Sequence, residues 1–519
     1  MTSPARACLA GGSRTRESLL LALIMLGYLA LALLYARFTP PWQVPDEPAH
    51  YNYVAYLAEY GRFPVLHMGD YPHAYLEEIK ARRFPPELSI APIRYEFHQP
   101  PLYYALAAPV YRLTGGSLVP LRLFSVLLGA GVVVLAFAIA RRICPAWPGL
   151  AAGAAGFVAF LPQHLATVSQ VGNDAMAEVL FALALFALID WIGRVAASPA
   201  PTHASAISRS RTAIAMGILL GLILITKTTA YIALVLTGGV LIWAWRRQRT
   251  SVGRILIDTA LVAAPALLIA LPWYVRDVIT YGWPDLLGLG RHDAIVVGQL
   301  RTGDYLAGVG LIAYLQRLVE YTFKSFWGVF GWLGVFMDSR IYLVLALVCG
   351  VIACGLVLRG AAPASRARWT ESGPAIAEPG LAGYALRLLA CSALLTIVVY
   401  GWYNMQFVQH QGRYLFTALI PVAIGFAMGW DCALRPSNSR LIAAGLLLLA
   451  LGLLIGSMIA HQALPKWPLA LTVVIAAGLA VRPLLPHRFD SLLFALPFAA
   501  LPFLDLYALF GAILPQLAH

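Results

Sequence analysis

Charge is what this sequence has least of. Only 12% of its 519 residues are Asp, Glu, Lys or Arg, against 60% hydrophobic, and the mean hydropathy is +0.75. A water-soluble domain of this size is excluded, because it needs far more polar surface. The six cysteines are scattered through apolar segments with no CxxC pair, which excludes a disulfide framework and a cysteine zinc site. Acids are scarcer than bases, 24 against 37. The resulting +13 sits mostly in short connections between apolar runs, where it sets membrane topology, and nucleic acid is excluded as a partner. No small-residue cleavage site follows the first apolar run, so that run is expected to be a retained span.

What is present is a series of apolar runs of about 20 residues, the length a roughly 30 Å hydrocarbon core demands. They fall at 18–36, 119–140, 149–164, 175–192, a pair within 213–245, 255–274, 341–358 and 384–403. Further runs lead from QHQGRYLF to Arg435 and cover 441–460, 467–481 and 491–514. The fold class is therefore all-α, a polytopic transmembrane bundle of about 13 spans. Arg6, Arg14 and Arg16 place residues 1–17 in the cytoplasm by the positive-inside rule, which puts loops 38–118 and 277–339 on the outer face of the cytoplasmic membrane. The Pro-, Ser- and Arg-rich interval 196–212 reads as a cytoplasmic linker, and an Arg-rich cytoplasmic loop separates the runs at 341–358 and 384–403. Within the first outer loop, 49–60 and 101–113 are too short to span and read as helices lying at the interface.

The first outer loop carries the chemistry. Asp46 and Glu47 stand side by side between Pro45 and Pro48, which hold the backbone away from regular helix and present both carboxylates at the first turn of the next helical segment. The same loop supplies Glu96 and His98 just before Pro100 and Pro101. On this topology Asp174, Lys227, Arg276 and Arg413 reach the same face, with Tyr51 and Asn173 beside them. Ionisable groups near membrane depth mark substrate paths. Carboxylates can take a proton from an attacking hydroxyl or amine, while Arg and Lys hold a departing phosphate. Structural readings stand alongside: Asn173–Asp174 as a helix start, Lys227 as a snorkelling cation, Arg276 and Arg413 as interfacial anchors beside Trp273, Tyr274 and Tyr414, and His98 as an interfacial histidine.

PDEPAHYNYVAYLAEYG, EFHQPPLYYAL, GNDA, LITKTTA, LPWYVRD and QGRYLF occur in that order. Together they resemble the GT-C superfamily of membrane glycosyltransferases over residues 18–434. The likeness is to the family 39 type, which includes the protein O-mannosyltransferases and the aminoarabinose transferase of lipid A, and to a related bacterial branch. Residues 435–519 share only hydrophobicity. The resemblance implies inverting transfer of one sugar from a polyprenyl-phosphate donor to an acceptor on the outer face. Carried over by position, Asp46 or Glu47 matches the acidic pair of the first loop and Asp174 the second catalytic acid. Lys227, Arg276 and Arg413 match cations near the donor phosphate, and Glu96, His98, Tyr51 and Asn173 neighbour the acceptor or a metal. A divalent cation, Mg or Mn, is compatible with the family but not demanded by the sequence. Two positions depart from the pattern: Asp277 where relatives often have Asn, and Gln99 where many have His. The alternatives are a transporter or flippase for lipid-linked glycans, which would show inverted repeats and mid-span charges, and a non-catalytic assembly component, which would tolerate loss of the acids.

Overall fold

In lipid every backbone N–H and C=O must be satisfied within its own segment, so the apolar runs become helices. The computed structural model describes residues 4–197, 203–361 and 380–518. In chain order the first helices are α1 (Pro4–Phe38), α2 (Glu47–Tyr60), α3 (His73–Ala81), α4 (Leu102–Thr114), α5 (Leu118–Ile143), α6 (Pro148–Ala159), α7 (Pro162–Val168) and α8 (Asp174–Ala197). After them come α9 (His203–Leu224), α10 (Ile232–Gln248), α11 (Val252–Tyr281), α12 (Leu289–Ile295), α13 (Thr302–Val309) and α14 (Leu311–Trp327). An antiparallel hairpin of β1 (Val329–Phe330) and β2 (Val335–Phe336) precedes α15 (Ser339–Ala361) and α16 (Leu381–Asn404). The chain closes with α17 (Leu419–Ala433), α18 (Pro436–Ile459), α19 (Lys466–Val481), α20 (Asp490–Tyr507) and α21 (Leu514–Leu517).

The protein is a multi-pass helical membrane protein. Among the described residues 11 helices are long and apolar enough to cross a membrane, and the α6–α7 pair, bent by 62°, makes a twelfth crossing if it is one span. The bend replaces the straight run expected at 149–164, because Pro162 has no N–H to continue the ladder of α6. α9 is a further long helix, packed along α11 where Gly217 and Gly221 leave room for the backbone of the neighbouring helix. The linker expected at 196–212 is corrected in part: α8 runs on to Ala197 and α9 starts at His203, while residues 198–202 lie outside the described residues. So does 362–379, where most of the Arg-rich loop between α15 and α16 was expected.

The bundle core is built from α1, α5, α6, α8 and α17, whose facing side chains are almost wholly buried. Both short helices expected in loop 38–118 form, as α2 and α4, and they stack on each other through Tyr53 and Tyr104, whose rings lie 3.7 Å apart and parallel. A third, α3, was not foreseen. Loop 277–339 is largely ordered into α12, α13, α14 and the hairpin. In that loop the aromatic stretch FWGVFGWLGVF ends α14 with Phe326 and Trp327 and then makes the small strand pair. These two loops meet at one end of the bundle, over the starts of α8 and α17.

Candidate active site

One proline and one left-handed turn decide how the first loop presents its acids. Pro48 occupies the first turn of α2, and the residue before the helix, Asp46, turns through φ +71° to start it. This left-handed conformation is uncommon for a residue with a Cβ, and it sends the neighbouring carboxylates in different directions. Asp46 faces outward into the cluster: its Oδ2 is 2.6 Å from Arg413 Nη2, and its Oδ1 accepts from the Tyr95 hydroxyl at 2.8 Å. Burial works to raise its carboxyl, but Arg413, His50 and the Tyr95 hydroxyl overcome that and hold it at about 2. Glu47 turns inward. It is fully buried and takes a two-pronged contact from Arg122, Nε to Oε1 at 2.8 Å and Nη2 to Oε2 at 2.6 Å. The backbone N–H groups of Val171 and Trp42 complete its shell. With every lone pair engaged, Glu47 is the clamp that joins α2, α5 and the Val171 segment.

Asp174 opens α8 and receives Lys227 Nζ at 2.6 Å. Lys227 lies in the break between α9 and α10. Its ammonium is held above its usual range: burial opposes the charge, but Asp174 outweighs it. Asn173 donates to Gln99 Oε1 at 3.2 Å and is fully buried, so the Gln99 that departs from the family pattern is the residue that anchors Asn173.

Arg413 reaches the cluster because Gly412 precedes it. A Cβ at 412 would overlap the backbone of Phe326, so only glycine lets this turn pack directly against α14. Arg413 also donates Nε to Gln411 Oε1 at 2.8 Å. It borders two clefts. One, about 310 Å³ of empty space including open solvent, is lined by Asp174, Glu178, Thr229, Arg413 and Tyr414. The other, about 290 Å³ measured the same way, is lined by Pro45, Gln163, Thr167, Ser325, Gln411 and Arg413.

The remaining residues divide. Glu96 is 9% exposed, with its Oε2 unpartnered among the described residues, and its charge acts on Lys227 and His50. His98 hydrogen-bonds the Tyr95 carbonyl at 3.1 Å and packs on His292, centroids 4.5 Å apart; burial pushes its imidazole down to about 4. Arg276 is engaged elsewhere, pairing with Asp277 at 2.8 Å, hydrogen-bonding the Pro64 carbonyl and lying over the Trp273 ring. Asp277 thus neutralises Arg276 locally, and the pair ties α11 to the first loop. Tyr51 donates to the Gly116 carbonyl at 2.7 Å, joining the end of α4 to α2.

Three contributors escaped the sequence reading. Tyr95 and His50 belong to an aromatic-rich loop and carry no spacing signal, although His50 is one helical turn from Asp46 and so shares its face. Gln411 sits beside Arg413 in QGRYLF.

The family described as dolichyl-phosphate-mannose-protein mannosyltransferase matches residues 56–280, a stretch holding Asp174, Lys227 and Arg276 but neither Asp46 nor Arg413. The crystal structure of ArnT from Cupriavidus metallidurans bound to undecaprenyl phosphate aligns with a TM-score of 0.52 and 17% identity, over 94% of this chain and 76% of that one. The fold is of the GT-C type. Apo ArnT from the same organism gives the same values. The Saccharomyces cerevisiae Pmt1–Pmt2 complex bound to the sugar donor is 18% identical over 50% of this chain and 34% of that one, with a TM-score of 0.36. No curated protein matches the chain. Within the GT-C frame, the clustered acids and cations gather where the two large loops cover the bundle. Among the described residues no three His, Cys, Asp or Glu side chains form a group arranged to hold a metal ion.

Proposed function

We propose that the protein is an inverting glycosyltransferase that moves a sugar from a polyprenyl-phosphate donor to an acceptor at the outer face of the cytoplasmic membrane, with its N-terminus inside. One observation carries this reading: two carboxylates, Asp46 and Asp174, each held by its own cation at 2.6 Å, with Asp174 and Arg413 lining one cleft. A phosphate entering that cleft competes for Lys227 and Arg413, both suited to bind it. As the cations turn to the phosphate, the carboxylates are released toward the acceptor. The C1–O bond then breaks toward a phosphate whose growing charge the cations already face, so their stabilisation increases in the transition state. Asp46 and Asp174 orient the acceptor nucleophile on the opposite side of the sugar ring.

The glycan, lipid or protein that serves as acceptor is set by the shape of the second cleft, where the polar lining is amides and hydroxyls with Arg413 as its one charge. The test is release of polyprenyl phosphate by the purified protein supplied with a panel of polyprenyl-phosphate sugars and envelope extracts. Release that collapses in Asp46→Asn and Asp174→Asn supports the assignment. Release that survives both overturns the roles given to these acids.

A further inference from the structure

The two acids are poorly placed to take a proton, because each is already neutralised by a cation and Asp46 sits at about 2. A general base works best when its pKa lies near the working pH. The site also holds an imidazole that no cation is hydrogen-bonded to among the described residues. His50 is 3% exposed and lies one turn along α2 from Asp46, with its backbone N–H bonded to the Asp46 carbonyl at 3.1 Å. Its Nδ1 is fixed by the Tyr104 hydroxyl at 2.7 Å, and the two rings stack. Among the described residues its Nε2 has no hydrogen-bond partner. The ring edge carrying that nitrogen passes Gly172, two residues before Asp174; a Cβ at 172 would lie 3.5 Å from His50 Cδ2.

We infer that His50, backed by the unpartnered carboxylate of Glu96, is the catalytic proton acceptor of the proposed sugar transfer, on which this inference rests. As the acceptor oxygen or nitrogen attacks C1 of the sugar, its proton passes to Nε2 and its lone pair forms the new glycosidic bond. The electron pair of the C1–O bond leaves with the polyprenyl phosphate. The imidazolium then returns its proton to water when products depart. Tyr104 fixes the ring orientation, and Glu96 stabilises the imidazolium as it forms, as a positioning residue.

Tyr104 on α4 contacts the ring, and the charges that act on it are those of Asp46 on its own helix, Glu96 and His98 from the segment before α4, Asp174 at the start of α8 and Lys227 between α9 and α10. Burial, with the Lys227 ammonium, lowers the imidazole from its ordinary 6.5 more than the carboxylates raise it, and among those Glu96 favours the charged ring most strongly. His50 is therefore neutral and ready to accept a proton at neutral pH.

The experiment measures kcat and kcat/KM for release from undecaprenyl-phosphate mannose, glucose and aminoarabinose between pH 5 and 9, with undecaprenyl-phosphate affinity measured separately. Wild type is expected to lose rate on the acid side, below the ordinary histidine range. His50→Gln is expected to lose about a hundredfold or more in kcat, to keep undecaprenyl-phosphate affinity within about threefold as proof of folding, and to lose the acid limb. Glu96→Gln is expected to move the acid limb to lower pH, because it removes a charge that favours protonation. Added imidazole is expected to restore part of the rate to His50→Gly. If wild type releases phosphate and His50→Gln keeps both the rate and the acid limb, the inference fails while the transferase reading stands. If His50→Gln no longer binds undecaprenyl phosphate, His50→Gly with imidazole decides: no rescue overturns the inference. If wild type releases nothing from any donor, the transferase reading fails and the inference with it.

Discussion

Arg413 Nη2 lies 2.6 Å from Asp46 Oδ2, across 367 positions of sequence. The contact joins the turn that opens α17 to the turn that opens α2. Arg413 is nearly buried and Asp46 about a quarter exposed, at 11% and 28% of the side chain, so the pair is shielded on the cationic side and open on the acidic side. That asymmetry leaves the carboxylate accessible to a substrate, with the guanidinium held from a second side by Gln411.

Arg413→Lys removes the fork that serves Asp46 and Gln411 together, since an ammonium offers a point charge instead of a planar donor set. Undecaprenyl-phosphate affinity is expected to fall about tenfold, a change of about 1.4 kcal/mol. Asp46→Asn should instead leave that affinity the same or higher, because Arg413 is then free. Equal losses of affinity in both variants would contradict the division of roles.

Glu47 and Arg122 predict a different phenotype. Removing one partner of a buried pair leaves the other charge uncompensated, which costs about 3–5 kcal/mol. Glu47→Gln and Arg122→Met are each expected to lower the thermal midpoint in detergent sharply and to reduce yield. The folded fraction of Glu47→Gln should retain release within about tenfold of wild type, roughly 1.4 kcal/mol in barrier. A folded, stable Glu47→Gln protein that is catalytically dead would restore Glu47 to the catalytic set.

The Asp46 pair also sets an acid limit on stability. Its folded carboxyl is lowered from 3.8 to about 2, so its stabilisation is fully present above the unfolded value and is lost as pH falls from about 4 through 2. Lys227 is raised instead, so its contribution is present below its unfolded value and disappears only as pH climbs past 10.5. Thermal midpoints of wild type and Asp46→Asn should therefore converge toward pH 2 and separate above pH 4. A constant gap down to pH 2 would exclude the linkage.

Gly412→Ala tests how Arg413 is seated. The added methyl meets the Phe326 backbone, and overpacking of this kind costs about 1–3 kcal/mol. Loss of release together with weaker undecaprenyl-phosphate affinity is expected. A variant with wild-type affinity would show that α14 yields at this point.

Orientation is checked by single cysteines placed at the exposed positions Arg94 and Arg246 in a protein freed of its six native cysteines. An impermeant maleimide added to intact cells should label position 94 alone. Labelling of position 246 alone would invert the topology.

Run length and hydropathy were enough to establish the membrane class, the approximate placement of the long apolar helices and the two short helices α2 and α4. These features are dictated locally, since a helix satisfies its own backbone. The order of crossings also marked which polar residues lie at one end of the bundle, because topology alternates with each one. What those residues do there emerged from the packed molecule alone. Asp46 and Glu47 are adjacent and chemically similar, yet a left-handed turn at Asp46 sends one to Arg413 and the other to Arg122. Arg276 and Lys227 read alike as outer-face cations, yet Asp277 and Pro64 occupy the first while the second faces Asp174. His50 lay unnoticed beside the acids, and Glu96 became meaningful only once its Oε2 was seen to lack a partner. Such distinctions rest on contacts between segments tens to hundreds of residues apart, and no local periodicity encodes which partner a buried charge will find.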